Sequence, residues 1–175
     1  MQNSNQVFFT TTKCLDWKPI LLTAKIKDIV VQSLNYLVEA ERVSIFGFVI
    51  MPNHFHLLWK MMNGQKREYV QRDFLKYTAQ QILKELKSQD YEQFSKLWVA
   101  LHDREYQVWA RHSLNVPIWS PFVWRQKLGY IHSNPVRAGL CSRREDYKYS
   151  SYKSYQLSNQ SWPFLTISRS GKGFI

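Results

Sequence analysis

Two histidines one residue apart, His54 and His56, lie in the run Ile-Phe-Gly-Phe-Val-Ile-Met-Pro-Asn-His-Phe-His-Leu-Leu-Trp-Lys that spans Ile45 to Lys60. The run reads as two short apolar strands joined by a tight turn at Met51-Pro52-Asn53. Side chains alternate faces along a strand, so both imidazoles project to one side while Phe55 and Leu57 project to the other. Paired imidazoles on a rigid strand are half of a catalytic metal site; a third ligand and a reacting group complete one. The plainer reading of a bare His-x-His is a hydrogen-bonded pair at a strand start, since histidines often sit half-buried without a metal. The later stretch Lys127 to Val136 tips the balance. Tyr130 and Asn134 stand four apart, so on a helix they share a face, with about 6 Å between their Cβ atoms. One offers a phenolic oxygen and the other an amide oxygen to the same small volume. Against Tyr130 stands a core role, because the chain holds 10 tyrosines. Against Asn134 stands the proline after it, which disfavours the helical conformation and predicts a distorted last turn.

The elements that must position these residues follow from periodicity. Gln6 to Cys14, rich in β-branched and aromatic residues, predicts a first strand. Thr23 caps a helix running to about Arg42. Its apolar positions Ile26, Ile29, Val30, Leu34, Leu37 and Val38 recur at three- and four-residue steps and form one buried stripe. Val43–Met51 and His54–Met61 make the hairpin, with Phe46, Phe48 and Ile50 on one face and Ile45 and Val49 on the other. A second helix is expected from about Lys66 to Leu86. Glu105 to Arg111 alternates like a strand, and residues 116–120, with Pro117, read as a loop. A further helix is expected from about Ser120-Pro121 to Ser133, with proline at its first position. The order strand, helix, strand, strand, helix, strand matches the split βαβ arrangement of ferredoxin-like folds. The expected class is therefore α+β: an antiparallel sheet with helices packed on one face, and a C-terminal helix beyond it.

Bulk properties narrow the partner. A chain of 175 residues with 45% hydrophobic and 15% aromatic content fits one folded domain with a core of its own. Its 24 Lys+Arg against 13 Asp+Glu give a net charge of +11. An excess of this size argues for a polyanionic partner, most simply nucleic acid. Cys14 and Cys141 form no Cys-x-x-Cys pair, which counts against a zinc ribbon and a disulfide framework. No signal peptide or bilayer-length apolar run is visible, so a cytoplasmic protein without membrane partners is the expectation. Arg125, Lys127, Arg137, Arg143, Arg144 and Lys148 flank the tyrosine segment, with Trp119, Trp124, Tyr149 and Tyr152 among them. Cations interleaved with aromatics suit a single strand, whose bases stack while its phosphates pair with charge. A core role competes for the tryptophans, and for Trp124 in particular. The folded domain is expected over residues 1–157, with residues 158–175 as a C-terminal tail.

His54-Phe55-His56, preceded by Val-Ile-Met-Pro-Asn, resembles the HUH motif of single-tyrosine HUH transposases. Three pieces in order resemble the REP-associated tyrosine transposases of that superfamily: Met51–His56, then Tyr130–Leu140 (Tyr-Ile-His-Ser-Asn-Pro-Val-Arg-Ala-Gly-Leu), then Tyr147–Ser151 (Tyr-Lys-Tyr-Ser-Ser). The resemblance covers roughly Val7 to Tyr155. It implies a ferredoxin-like sheet and an enzyme that cuts and rejoins single-stranded DNA near hairpin-forming repeats. Tyr130 then matches the nucleophile and His54 and His56 the metal ligands. Asn134 sits where the family places a third polar ligand, a role for which His132 competes. The cofactor implied is a divalent cation, Mg²⁺ or Mn²⁺, and the intermediate a covalent 5′-phosphotyrosine. Relatives use the tyrosine within one chain or across two, so a monomer and a homodimer are both open. A second reading is a non-cleaving module that grips structured single strands. A third, a metal-dependent hydrolase of small substrates, is disfavoured by the net charge and the absence of an acidic cluster.

Overall fold

A computed structural model describes residues 6–156 and 161–173. The hairpin is its centre. Strands β2 (Val43–Ile50) and β3 (His54–Met61) pair antiparallel across the Met51–Asn53 turn. Strand β1 (Val7–Lys13) lies antiparallel on the other side of β3. Helix α1 (Ala24–Glu39) starts at Thr23, whose side chain accepts from the Ile26 amide at 3.3 Å and satisfies one orphan N–H of the first turn. Helix α2 runs Arg67–Gln89, three residues past the expected end. It is followed by a short helix α3 (Tyr91–Ser95) and by a separate two-stranded ribbon, β4 (Trp98–Leu101) with β5 (Arg104–Tyr106).

The fourth strand of the main sheet is not the 105–111 stretch. It is β6 (Leu114–Ile118), which contains Pro117 and pairs antiparallel with β1. The sheet order is β2-β3-β1-β6, the ferredoxin-like order. Proline lacks the N–H that a central strand needs, and β6 is an edge strand, where that loss is tolerated. Residues 107–110 instead run beside the end of β1: the Leu15 amide donates to the Val108 carbonyl and the Ala110 amide to the Lys13 carbonyl, each at 2.8 Å.

Two cores lie on the two faces of the sheet. Helices α1 and α2 cover the face that carries Ile45, Phe48, Phe55, Leu57 and Trp59. Helix α4 (Pro121–Arg137) covers the other, against Val7, Phe9, Phe46, Val49 and Leu58. Phe46 and Phe48 thus face opposite ways, contrary to simple alternation. A bulge between Ile45 and Gly47 shifts the phase of β2, as an extra unpaired residue must. Gly47 sits where α4 comes closest: a Cβ there would lie 2.8 Å from the Leu128 side chain.

Helix α4 does not stop at Ser133. It continues through Pro135 to Arg137, with Asn134 helical and both residues buried. The ring removes one N–H from the ladder, while the last turn closes through Ala138, Gly139 and Leu140 amides donating to Asn134, Val136 and Pro135 carbonyls. A single-turn helix, α5 (Tyr152–Gln156), follows. The segment 161–173, expected as a tail, packs on the domain: Phe164 and Leu165 are buried, and the Thr166 amide donates to the Ile45 carbonyl at 2.8 Å. No helix among the described residues is long and apolar enough to cross a membrane.

Candidate active site

Strand register builds the floor of the site. Thr11 on β1 is opposite His56 on β3, and Lys13 is opposite His54. Cross-strand partners share a face, so a hydroxyl and an ammonium stand beside the two imidazoles. Phe9, two residues back on the same face, stacks on His56 with centroids 5.2 Å apart. The His54 and His56 rings meet at 4.8 Å and 73°.

Hydrogen bonds fix which nitrogen of each ring holds its proton. The Asn53 side-chain oxygen lies 2.7 Å from His54 Nδ1. An amide oxygen only accepts, so Nδ1–H donates and Nε2 keeps its lone pair. His56 Nε2 receives the Asn134 amide Nδ2–H at 3.2 Å, which leaves Nδ1–H to donate to the Thr11 hydroxyl at 2.8 Å. In both rings Nε2 carries the lone pair and the other nitrogen is anchored by an outer partner, as in a metal ligand; the His56 pair is engaged by the Asn134 amide and opens only when that side chain turns. Burial lowers the pKa of both. That of His56, only 3% exposed, falls to about 3, with the neighbouring charges of His54 and Lys127 adding to the burial effect. For His54 a hydrogen bond with Asn134 works against the burial effect.

Helix α4 supplies the third wall. Tyr130 and Asn134 share a face, as the four-residue spacing predicts, and that face meets the histidines. The Tyr130 ring stands edge-on to His56 with centroids 5.1 Å apart, and edge-on to Phe9 at 6.0 Å. It keeps 37% of its surface exposed, so the ring is not locked in the interior. Asn134 is buried and touches both imidazoles. His132 points the other way. Two residues along a helix is a rotation of about 200°, and its Nε2 bonds to the Ser151 hydroxyl at 2.9 Å, between the Tyr152 and Tyr155 rings. His132 does not share the site with His54 and His56, and Asn134 does.

Two imidazole nitrogens and an amide oxygen, the latter after a half-turn of the Asn134 side chain, form a donor set that fits a divalent cation such as Mn²⁺ or Mg²⁺. Among the described residues no group of three His, Cys, Asp or Glu gathers. The described residues thus bring no carboxylate to these three donors, and charge balance falls to an anionic ligand.

The basic residues divide. Lys127 lies over the Phe9 ring at 4.8 Å, and Arg137 over the Tyr130 ring at 5.4 Å, so both border the site. Arg125 is exposed on α4. Arg143 pairs with Glu145 at 3.4 Å and Asp146 at 3.5 Å. Arg144 lies over Tyr152 and Lys148 over Tyr149. Of the aromatics read as stacking surfaces, Trp119 is exposed, whereas Trp124 and Tyr149 are buried.

The motif Tyr147–Ser151 does no chemistry at this site. The Tyr147 hydroxyl donates to the Ile50 carbonyl at 2.8 Å and that of Tyr149 to Asp28 at 2.9 Å. Ser151 bonds with both the Phe48 backbone and His132. The motif ties β2 to α1 and α4 and so sets how α4 lies over the histidines.

The chain shares its fold with a REP-associated tyrosine transposase. That solved structure, in complex with a REP hairpin, superposes with a TM-score of 0.68 over 99% of this chain and 94% of that one, at 16% identity. A candidate transposase from Deinococcus radiodurans R1 superposes with a TM-score of 0.51 over 75% of this chain and 92% of that one, at 11% identity. No family model and no curated protein matches the sequence.

Sequence reasoning missed Thr11, Lys13, Phe9 and Asn53. Alternation along β1 groups Phe9, Thr11 and Lys13 on one face, but only the β1–β3 register brings them to the histidines. Asn53 is visible as the residue before His54, but nothing local distinguishes an anchor for the ring from a turn residue.

Proposed function

We propose that this chain is a REP-associated tyrosine transposase: a metal-dependent endonuclease and strand transferase for single-stranded DNA, with Tyr130 as its nucleophile. The observation that supports this best is the meeting of His56 with Asn134, 78 residues apart, on the face where Tyr130 also stands. A tyrosine beside two metal-ready imidazoles suits attack on a phosphodiester. The Tyr130 oxygen bonds to phosphorus, the bond to the 3′-oxygen breaks, and the phenolic proton passes to solvent, from which the departing 3′-oxygen takes one. The products are a 5′-phosphotyrosine and a free 3′-hydroxyl. Because the phosphodiester energy is kept in that bond, a different 3′-hydroxyl can reverse the step and rejoin the strand. His54, His56 and Asn134 would hold the divalent cation, which when bound supplies positive charge to the phosphate. Lys127 and Arg137 add charge at the border. The Tyr130 ring stands 5.1 Å from the His56 ring of its own chain, a closeness that favours attack in cis.

The partner in this reading is single-stranded DNA with a hairpin, as in the similar solved structure. Residues 1–157 are the catalytic domain, buttressed by residues 161–173. The test is a labelled hairpin oligonucleotide with Mn²⁺, run on a denaturing gel. Wild type is expected to give a covalent adduct, and Tyr130→Phe to give none while still retarding the hairpin. An adduct from the variant moves the nucleophile to another tyrosine. Hairpin binding without any wild-type adduct leaves the non-cleaving module.

A further inference from the structure

Beside His54 stands an aromatic residue with no role so far. Trp17 is 53% exposed, and its indole meets the His54 ring edge-on with centroids 5.7 Å apart. The Lys13 ammonium lies 4.9 Å from the indole centre. Trp17 ends a single 3₁₀ turn, Leu15–Trp17, in which two successive residues are left-handed: Asp16 at φ 50° and Trp17 at φ 56°. Side chains other than glycine adopt this region at a cost, so the surroundings must enforce it. They do. The Leu15 amide donates to the Val108 carbonyl at 2.8 Å, the Lys18 amide to the Leu15 carbonyl at 2.9 Å, and the Leu21 amide to the Pro52 carbonyl at 2.7 Å. A strained, tethered turn that holds half of a tryptophan in solvent does not act as core packing.

We propose that Trp17 is a nucleobase-stacking platform for the nucleotide on the 5′ side of the scissile phosphate, the one that leaves with the free 3′-hydroxyl. The inference rests on the proposed reaction and adds a base subsite to it. Ring contacts run in succession from Tyr130 to His56 at 5.1 Å, His56 to His54 at 4.8 Å, and His54 to Trp17 at 5.7 Å. In phosphoryl transfer the attacking and leaving oxygens lie roughly in line on opposite sides of phosphorus. With Tyr130 at one end and the phosphate over the histidines, the departing nucleoside emerges at the other end, where Trp17 waits. Indole stacking accepts any base, because every base has a π face. Lys13 can reach the phosphate next along the strand while it polarises the indole. A stacked base would keep the 3′-hydroxyl near the phosphotyrosine, so the cut end stays available for rejoining.

The experiment is an abasic scan. Hairpin oligonucleotides with one abasic nucleotide at successive positions around the cleavage site are bound to Tyr130→Phe protein with Mn²⁺, where no cutting disturbs the reading. The abasic residue just 5′ of the scissile phosphate is expected to weaken binding on the order of tenfold. In Trp17→Ala/Tyr130→Phe that position is expected to lose its penalty, and in Trp17→Phe/Tyr130→Phe to regain part of it. The Mn²⁺ concentration that half-saturates wild-type cleavage is expected to stay the same in Trp17→Ala. An equal abasic penalty with and without Trp17, or a Trp17-dependent penalty at another nucleotide, overturns the assignment. So does a shift in the Mn²⁺ requirement with no base dependence, which would make Trp17 a prop for His54. Absence of any wild-type adduct refutes the proposed reaction, and with it the scissile-step assignment; a Trp17-dependent abasic penalty would then still identify a base platform.

Discussion

His56 and His132 are close counterparts. Each is buried, each has its pKa pushed well down by burial, to about 3 and about 4, and each is hydrogen-bonded to a hydroxyl. Their remaining surroundings separate them. His56 has its hydroxyl on Nδ1 and turns Nε2 toward Asn134, beside Tyr130 and His54. His132 spends Nε2 on Ser151 and is flanked by Tyr152 and Tyr155, with the Arg144 charge adding to the depression of its pKa. Burial and a shifted pKa therefore do not mark a ligand. What makes His56 the candidate is an Nε2 lone pair turned toward the Asn134 side chain, beside a second imidazole and the Tyr130 ring.

The contrast breaks most sharply under substitution. His56→Ala is expected to lower adduct formation on the order of a hundredfold or more, since it removes a candidate ligand. His132→Ala is expected to leave the adduct yield of the folded protein within about threefold, while costing roughly 2–3 kcal/mol of stability by denaturant titration. Equal catalytic losses in the two variants would collapse the distinction. Next in size, chelation by EDTA is expected to abolish cutting by wild type and leave hairpin retardation in place; cutting that survives chelation would remove the need for the two histidines as drawn. Thr11→Val keeps shape but takes away the acceptor that holds the His56 Nδ1 proton. It is expected to raise the Mn²⁺ requirement about tenfold, whereas Ser151→Ala on the His132 side should not move it. The smallest effect belongs to Tyr147→Phe, which removes one hydrogen bond to the Ile50 carbonyl and is expected to cost about 1 kcal/mol with cutting retained.

Much of this arrangement was legible in the chain. The Met-Pro-Asn turn between apolar runs announced the hairpin, strand alternation put both imidazoles on one side, and the Tyr130–Asn134 spacing put phenol and amide on one helical face. Those features depend only on local periodicity. The misses depend on distant partners. Pro117 disqualifies a central strand, and nothing local says that β6 is an edge. Gly47 could be any strand glycine until α4 lies across it, so the bulge that swaps Phe46 and Phe48 between cores was invisible. Pro135 predicts a helix end; burial of its ring against the domain carries the helix on. Asn134 consequently stays in register with Tyr130, and the expected distortion between them does not arise.

One detail of the β2 edge carries over to assembly. Backbone groups of Ile45, Phe48 and Ile50 are already taken by Thr166, Ser151 and Tyr149 of the same chain. Another protomer could extend the sheet there only by displacing these bonds, and at the opposite margin Pro117 withholds one donor. Both margins are thus blunted against the addition of a further strand.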